Sequence, residues 1–594
     1  MSIQTKHFLN SPDTLVVDAL SGLCALNPAL SFDRDNKIVH LAKQDRSKVA
    51  LFCGGGSGHE PAHSGFVGDG VLTAAVCGNI FASPNASQVR RAIDLVHNEK
   101  GTVIIVKNYT GDVLNFGLAK EQYAASHPDF ANRVKFVIVG DDVAVGRTQG
   151  SIVGRRGLAG TVLVYKIAGA LAHRGGSLDD VYNIAQWTAN RVATIGVGLE
   201  HCHVPGTAAA SSHLSNSEIE IGMGIHNEAG NKRISMPPLS ELMPQLLDLI
   251  MNQDDEERSF VPFQGSGKDK VVLLVNNLGG ISELELSGIV SEAKVALGKR
   301  GVGIERVLSG SFMTSLNMPG FSITLLLLPN QSNGPDSSHI LSLLDDPTSA
   351  PGWKFSSHVA PPSELTLTTP STASTTKATH HPIPAPSPET FVSSLTSACK
   401  ALIAAEPQIT SYDNIAGDGD CGLTLQSGAN AVLSSISSSL ISGSDVVGSI
   451  IQIAKVAEEK MGGTSGALYS IWFSALAQGL QQVAARDGVK EITRDVWVEA
   501  LKGALEKLFT YTRARPPSRT LVDPLAAFVG ALEKGQEGSW KKAVEKAAEA
   551  AEKTRELEAK AGRSAYVEGD RLKEENVPDP GAWGVKIILE GLGL

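Results

Sequence analysis

The chain of 594 residues is long enough for several domains, and it has the composition of a globular protein, with 42% hydrophobic and 19% charged residues. Its net charge of -10 argues against nucleic acid or an anionic membrane as the main partner. No apolar run reaches membrane-spanning length and the first residues lack a signal-type apolar core, so we expect a cytosolic protein.

The cysteine pattern gives no sign of a disulfide framework or of a cysteine-based zinc site. The 6 cysteines are scattered and none of them form a CxxC pair. The triplet His201–Cys202–His203 resembles part of a zinc site, but adjacent residues rarely chelate one ion without distant partners. We therefore do not expect zinc there.

The first half of the chain alternates short β-branched runs with helical patterns, which is typical of an α/β fold. Five runs are predicted as strands: 49–53, 103–106, 135–140, 271–275 and 323–329. Ser282 and Glu285 form a predicted capping box at the start of a helix, and Gly301 is its predicted stop. We expect parallel or mixed sheets with flanking helices.

A segment rich in Pro, Ser, Thr and Ala divides the chain. Residues 347–388 contain nine prolines and few acidic or large apolar residues, which predicts a linker between a domain at 1–346 and a domain at 389–594. After residue 389 the β-branched runs vanish and Ala, Leu, Ser, Glu and Lys dominate. This second half is predicted to be helical, with loops at one end that could converge on one ligand.

The acidic stretch Tyr412–Gly422 carries three aspartates, Asp413, Asp418 and Asp420, among glycines. Mg2+ prefers carboxylate oxygens and is often completed by substrate phosphates, so the stretch predicts half of a site for a magnesium nucleotide. A calcium-binding EF-hand pattern fails, because its required glycine position holds Leu423. An acidic surface turn with helix-capping aspartates remains open as the structural alternative.

Two glycine-containing loops follow predicted strands, where α/β folds place their ligands. In CGGGSGHEP, 53–61, a dinucleotide fingerprint and a GxSxG elbow would both need glycine where His59 stands. A tight structural turn and a ligand loop both remain open for it. In KNYTGD, 107–112, Asp112 could cap the following helix or act as a base paired with Lys107.

Two further observations concern a histidine and the nucleotide. His226 lies in MGIHNE, 223–228, and a lone histidine is more often structural than functional. No Walker A loop is present, because Gly267–Lys268 is followed by aspartate and lacks the upstream glycine. ATP would therefore have to be bound without a P-loop.

Taken in order, seven motifs resemble the dihydroxyacetone kinases that carry a substrate-binding K domain and a nucleotide-binding L domain in one chain. They are GGGSGHEP, KNYTGD, GIHNE, YDNIAGDGDCG, MGGTSGAL, RPPSRTLVDPL and VPDPGAW. The resemblance covers essentially the whole length. It implies an α/β K domain with mixed sheets, an all-α L domain folded as an antiparallel helical barrel, and a homodimer.

The resemblance also implies an ATP- and Mg2+-dependent kinase of dihydroxyacetone (glycerone), and of glyceraldehyde. His226 would bond to the ketone carbon as a hemiaminal, which captures a carbonyl compound and not glycerol. His59 and Asp112 would act as acid/base partners at the attacking hydroxyl. The implied substrate-binding residues are Gly56, Ser57, Gly58, His59, Lys107 and Asp112.

The metal ligands implied by the resemblance are Asp413, Asp418 and Asp420. The implied nucleotide contacts are Asp418, Gly419, Asp420, Cys421, Gly463, Thr464, Ser465, Arg519, Asp579, Pro580 and Gly581. Two alternatives stay open: an FAD-AMP lyase (cyclising) that uses the same metal site, and a non-enzymatic sensor of carbonyl metabolites. Retention of the three aspartates disfavours the sensor, which would need no metal.

Overall fold

A computed structural model describes residues 5–208, 212–265, 267–329, 334–362, 380, 382–535, 539–560, 572 and 574–593. The chain divides into two compact units, Met1–Leu367 and Thr368–Leu594. We refer to them as the first unit and the second unit. None of the helices in the described ranges combines the length and the apolar character needed to cross a membrane.

The first unit contains two mixed sheets of six strands each. The strands of the first sheet are β1 Leu30–Asp33, β2 Ile38–Leu41, β3 Ala50–Ser57, β4 Ala74–Ile80, β5 Thr102–Lys107 and β6 Val134–Val139. Their order is β1-β2-β4-β3-β5-β6, and β4, β3, β5 and β6 run parallel. Every residue of β3 and β5 is buried, as expected for strands covered on both faces.

The second sheet is mostly antiparallel. Its strands are β7 Val192–Gly198, β8 Glu218–Ile221, β9 Lys232–Ser235, β10 Lys270–Asn277, β11 Gly303–Gly310 and β12 Gly320–Leu327. Their order is β11-β10-β12-β7-β8-β9, and only β10 and β11 pair in parallel. The prediction of parallel or mixed sheets is confirmed.

Helices pack on these sheets. They are α1 Leu15–Leu26, α2 Ala86–Val96, α3 Thr110–Ser126, α4 Gly160–His173, α5 Leu178–Ala189, α6 Leu239–Met251, α7 Glu283–Lys299 and α8 Ser337–Asp345. The predicted capping box is confirmed: the Ser282 side chain accepts the backbone N–H of Glu285, whose carboxylate in turn accepts the backbone N–H of Ser282.

The second unit is helical, as predicted. Its helices are α9 Pro388–Ala416, α10 Cys421–Ser437, α11 Val446–Val456, α12 Gly463–Asp487, α13 Arg494–Tyr511, α14 Val522–Glu533, α15 Ser539–Lys553 and α16 Pro580–Gly591. Helices that follow each other in this order are in contact, and α16 returns to pack against α9. The ring is a helical barrel around an apolar cavity of about 500 Å³, whose walls include Leu402, Trp472 and Phe528.

The predicted linker is packed at both of its ends. The Gly352 N–H donates to the Gly65 carbonyl in the first unit at 2.7 Å, and the Ala385 N–H donates to the Gly443 carbonyl in the second unit at 2.9 Å. These two backbone groups lie inside the predicted linker and are paired with the units on either side of it. Residues 363–379 and 381 lie outside the described residues, so the linker between them stays a prediction.

Candidate active site

Three of the predicted substrate-site residues meet at one edge of the first sheet. β3 and β5 are parallel neighbours, so their carboxyl ends lie side by side, the edge at which α/β sheets bind ligands. His59 follows β3, and Lys107 is the last residue of β5. Asp112 lies in the first turn of α3, immediately after β5.

His226 reaches this edge from the loop between β8 and β9 of the other sheet. Its Nε2 lies 3.0 Å from Nε2 of His59, and the two rings are nearly perpendicular with centroids 4.7 Å apart. The histidine of MGIHNE is therefore paired with the histidine of the glycine-rich loop. This contact brings the two motifs together across 167 residues of sequence.

Glu228 fixes the ring of His226. One of its carboxylate oxygens lies 3.0 Å from His226 Nδ1, and the other accepts the His226 backbone N–H at 2.8 Å. Burial works against ionisation of Glu228, but the contacts with His226 outweigh it and bring the pKa of Glu228 to about 2. Because an ionised carboxylate only accepts, Nδ1 of His226 carries a proton and Nε2 is the nitrogen that faces the site.

His59 and His226 must share one proton between their Nε2 atoms. Nδ1 of His59 lies 2.8 Å from the carbonyl oxygen of Thr314, which can only accept, so that nitrogen is protonated. Burial and the charge of Lys107 lower the pKa of His59 well below its ordinary value, so its ring is neutral and its Nε2 is bare. The hydrogen between the two rings is therefore assigned to Nε2 of His226, so both nitrogens of that ring carry a hydrogen and its positive charge faces the Glu228 carboxylate.

Aromatic side chains enclose this histidine pair. Phe81 stacks on His59 with centroids 5.2 Å apart and meets His226 edge-on at 5.0 Å, while Tyr109 meets His226 edge-on at 4.6 Å. Gly58, which has φ +100°, makes room for Phe81, because a Cβ at this position would lie 2.7 Å from the Phe81 ring. The side chain of His226 keeps 19% exposure, which leaves a route for a small molecule.

Asp112 does not cap its helix, because Tyr109 occupies the cap position and Asp112 turns inward, where it is buried. Its Oδ1 accepts the hydroxyl of Ser83 at 2.5 Å. Burial raises the pKa of Asp112, while Lys107 and Ser83 act in the opposite direction. The capping alternative is thus excluded for Asp112, and a buried carboxyl with a raised pKa suits a general base.

Lys107 supplies the positive charge of the site. It is fully buried, and within the described ranges its Nζ has no hydrogen-bond partner. Burial lowers the pKa of Lys107, and Asp112 is the leading group that opposes this effect. A buried ammonium without hydrogen bonds is costly, so its position favours a ligand oxygen as the missing partner.

The other predicted residues of the glycine loop are engaged with the protein. The Ser57 hydroxyl donates to the Gly78 carbonyl at 2.8 Å, and the Gly58 N–H donates to the Glu60 carboxylate at 3.0 Å. A Cβ on Gly56 would lie 2.8 Å from the backbone nitrogen of Ala82. These residues shape the loop, and their direct contact with a substrate stays a prediction.

In the second unit the three predicted metal ligands come together. One carboxylate oxygen each from Asp413, Asp418 and Asp420 lies within 4.8 Å of the others, and they are the only such group of possible ligands among the residues described. Asp413 is buried and also accepts the Cys421 N–H at 2.9 Å, whereas the other two are exposed. This set of one buried and two exposed carboxylates fits a hard divalent cation, whose coordination positions on the solvent side remain available for phosphate oxygens.

Three helix N-termini carry most of the remaining predicted nucleotide contacts. Cys421 begins α10, Gly463 to Ser465 form the first turn of α12, and Pro580 begins α16. The first N–H groups of a helix have no partner inside it and favour an anion. The Ser427 hydroxyl of α10 donates to the Lys460 carbonyl at 3.0 Å, which holds the short π-helix Ala457–Met461 before α12 beside α10.

Arg519 and Asp579 lie close together in this unit. Arg519 is fully buried and donates to the Val577 carbonyl at 2.9 Å, but among the described residues its Nε and Nη1 have no partner. Burial raises the pKa of Asp579 to about 6, although the hydrogen bond from the Ala582 N–H and the charge of Arg519 both lower it. Two orphaned guanidinium donors fit the oxygen atoms of a phosphate.

The side chains of the triplet His201–Cys202–His203 contact other parts of the first unit. His203 pairs with His7 at 2.8 Å, and the ring of His201 stacks on that of His213. Ser83 and Glu228, by contrast, are site residues to which the sequence analysis gave no role. Glu228 could have been found from the GIHNE motif, but no local signal marks Ser83.

Two family models match the chain: the Dak1 domain over residues 21–352 and the DAK2 domain over residues 415–593. A dihydroxyacetone kinase of Pichia angusta is 42% identical, covering 99% of this chain and 98% of the relative. A triokinase/FMN cyclase of Homo sapiens is 38% identical, covering 99% of both chains.

A solved structure extends this similarity to the fold of both units. The dihydroxyacetone kinase from C. freundii in complex with AMP-PNP and Mg2+ matches with a TM-score of 0.62 and 31% identity, covering 99% of each chain. The matched K- and L-type regions agree with the two-sheet first unit and the helical second unit described above.

Proposed function

The chain belongs to the family of ATP-dependent dihydroxyacetone kinases, and from that premise we propose that it phosphorylates dihydroxyacetone, and also glyceraldehyde, held as a hemiaminal on His226. The observation that carries this proposal is the contact of 3.0 Å between Nε2 of His226 and Nε2 of His59. It provides a nucleophilic nitrogen and a proton acceptor at the same point, beside a buried aspartate and a buried lysine.

The capture step uses the proton shared by the two histidines. His226 Nε2–H passes its proton to His59 Nε2, and the freed lone pair adds to the carbonyl carbon of the substrate. The electron pair of the C=O π bond moves to oxygen, which takes the proton from His59. The product has a neutral hydroxyl on the former carbonyl carbon, and the positive charge that His226 carried at the start stays on its ring, where Glu228 holds the remaining N–H throughout.

The transfer step uses Asp112 as the base. A substrate hydroxyl gives its proton to Asp112, its oxygen bonds to the γ-phosphorus, and the bond from that phosphorus to the bridging oxygen of ATP breaks. Lys107 is placed to hold the same oxygen through its ammonium, for which the described residues provide no hydrogen-bond partner. Phe81 and Tyr109 keep bulk water away from the histidine pair, which limits loss of the hemiaminal.

The second unit would hold the nucleotide. Asp413, Asp418 and Asp420 would bind Mg2+, which supplies charge neutralisation at the ATP phosphates, and the N-terminus of α12 with Arg519 would hold phosphate oxygens. The match to the C. freundii structure with AMP-PNP and Mg2+ supports this assignment. A homodimer is likewise proposed, and its support is the family resemblance alone.

The proposal is tested by measuring ADP release from Mg-ATP with dihydroxyacetone, D-glyceraldehyde or glycerol as acceptor. We expect release with the two carbonyl compounds and little with glycerol, because glycerol cannot form the hemiaminal. Equal turnover of all three acceptors would contradict capture on His226. Absence of turnover with every acceptor would contradict the kinase itself.

Ser83 gives a prediction about pH. Because its hydrogen bond to Asp112 opposes the effect of burial, Ser83→Ala should raise the already raised pKa of Asp112 further. A base works when ionised, so activity is present above its pKa and is lost as pH falls through it. The acidic limb of the kcat/KM profile should therefore move to higher pH in Ser83→Ala.

The matched control for that substitution is Ser126→Ala, which removes an exposed hydroxyl at the far end of α3. We expect it to leave the acidic limb in place. An acidic limb that Ser83→Ala also leaves in place would mean that Asp112 is not the group whose ionisation limits activity.

A second activity is favoured by one comparison. The human relative, 38% identical, is named a triokinase/FMN cyclase, and cyclising cleavage of FAD would use the same metal-binding aspartates. The test is release of AMP and cyclic FMN from FAD by the same preparation. Absence of both products would limit this chain to the kinase reaction. A pure sensor is disfavoured, because it would not need the aspartate cluster.

A further inference from the structure

His63 lies directly behind the substrate site, in a position that neither the motifs nor the mechanism above have used. Its Nδ1 lies 2.9 Å from the Tyr165 hydroxyl and 3.1 Å from the Cys53 thiol, and those two groups are 2.6 Å apart. Its Nε2 is buried and, within the described ranges, has no hydrogen-bond partner. A buried ring with one nitrogen occupied and the other free is placed to meet a ligand through the free one.

The free nitrogen of His63 faces Asp112 across the space beside Gly55. A Cβ built on Gly55 would lie 3.0 Å from His63 Nε2 and 3.2 Å from Asp112 Oδ2. Oδ1 of Asp112 is already held by Ser83, so Oδ2 is the oxygen left for a substrate. His63 therefore borders the part of the site where the base meets the substrate hydroxyl.

The protonation of His63 follows from its surroundings. Burial and the charge of Lys107 lower the pKa of His63 well below its ordinary value, so the ring is neutral and carries one N–H. We assign the single ring proton to Nε2, because this nitrogen lies on the side of the Asp112 carboxylate, which only accepts when it is ionised. Nδ1 is then the acceptor, and the Tyr165 hydroxyl at 2.9 Å is the nearer of its two possible donors.

We propose that His63 is a further substrate-binding residue, whose Nε2–H donates to the same substrate hydroxyl that Asp112 binds. The proposal rests on the function given above. A hydroxyl has one proton and two lone pairs. The proton is donated to Asp112, and the lone pairs accept from His63 and Lys107, which gives each of the two unpartnered nitrogens a partner.

This arrangement assigns His63 to the transfer step. When the hydroxyl proton passes to Asp112, the electron pair of the broken O–H bond becomes the pair that bonds to the γ-phosphorus. The N–H of His63 and the ammonium of Lys107 remain on the oxygen and stabilise the charge that develops there. Capture of the carbonyl, which depends on His226, does not involve His63.

The test compares His63→Asn with His63→Gln in the full-length protein. A glutamine amide can reach the position of Nε2, whereas an asparagine amide ends near Nδ1 and leaves the site without this donor. With dihydroxyacetone as acceptor, His63→Asn should lower kcat by roughly 100-fold, the loss typical for one transition-state donor, with KM little changed. His63→Gln should recover most of kcat, and Tyr165→Phe should lower kcat moderately.

Thermal unfolding of each variant separates this role from a structural one. The proposal is overturned if His63→Asn retains the parent kcat, or if the asparagine and glutamine variants lose activity and stability together. Should His63→Asn fail to fold, Tyr165→Phe decides: a lower kcat at unchanged unfolding temperature supports the proposal, and an unchanged kcat overturns it. If the parent itself releases no ADP with dihydroxyacetone, the proposed function has failed instead.

Discussion

Asp420→Asn is expected to lower ATP turnover by roughly 1000-fold, the scale on which phosphoryl transfer depends on neutralising the phosphate charge. Asp420 is exposed and belongs to the cluster whose carboxylate oxygens lie within 4.8 Å. Although it occupies the cap position of α10, its side chain makes no capping hydrogen bond, and asparagine keeps its size. The loss should therefore reflect the metal site and not the stability of the helix.

The matched control is Asp487→Asn, which neutralises an exposed aspartate of the same unit whose ion-pair partner is Arg486. Its turnover should equal that of the parent. Binding of dihydroxyacetone, measured by calorimetry, should be unchanged in Asp420→Asn, because the proposed site for the ketone lies in the first unit. Undiminished turnover in Asp420→Asn would remove Asp420 from the metal site, and joint loss of turnover and ketone binding would indicate misfolding.

His226→Ala should lower the preference for dihydroxyacetone over glycerol by on the order of 1000-fold, because that preference is attributed to a covalent bond that the variant cannot form. ATP binding should persist, since the predicted nucleotide contacts all lie in the second unit. The measurement is ADP release with each acceptor, compared as kcat/KM, together with binding of ATP by calorimetry.

His213→Ala is the control for that variant, because it also removes a histidine of the first unit that is paired with a glutamate. His213 Nε2 lies 2.8 Å from Glu220. It should retain the parent preference for the ketone. If His226→Ala rejected glycerol as strongly as the parent does, the covalent bond would not be the source of the preference for the ketone. Contacts of Lys107, Asp112 and the glycine loop with the substrate's hydroxyl groups would then set that preference.

Of the five strands that the sequence predicted, β3, β5, β10 and β12 are almost completely buried, whereas β6 is partly exposed. All of 103–106 is buried within β5, and a continuous apolar run is what a strand covered on both faces requires. Most of the missed strands carry weaker patterns, although β7 is fully buried. β4 contains glycine and small residues, and β9 is largely exposed at a sheet edge, so neither shows a β-branched apolar run.

The functional residues likewise differ in whether a local sequence pattern could predict their contacts. The aspartate cluster spans eight residues, and local spacing was enough to predict that its carboxylates converge. The partners of the substrate residues come from distant segments: His226 meets His59 across 167 positions, and Ser83 meets Asp112 across 29. Such pairs depend on how the two sheets and their loops pack, which no local pattern encodes.

The central claim, capture of the substrate carbonyl on His226, is tested most directly by NMR on protein labelled with 15N in histidine and mixed with dihydroxyacetone labelled with 13C at C2. The account predicts a tetrahedral carbon signal with a one-bond coupling to 15N, present in the parent and absent from His226→Ala. Signals of only the free ketone and its hydrate, under conditions in which the parent turns over the substrate, would contradict the account.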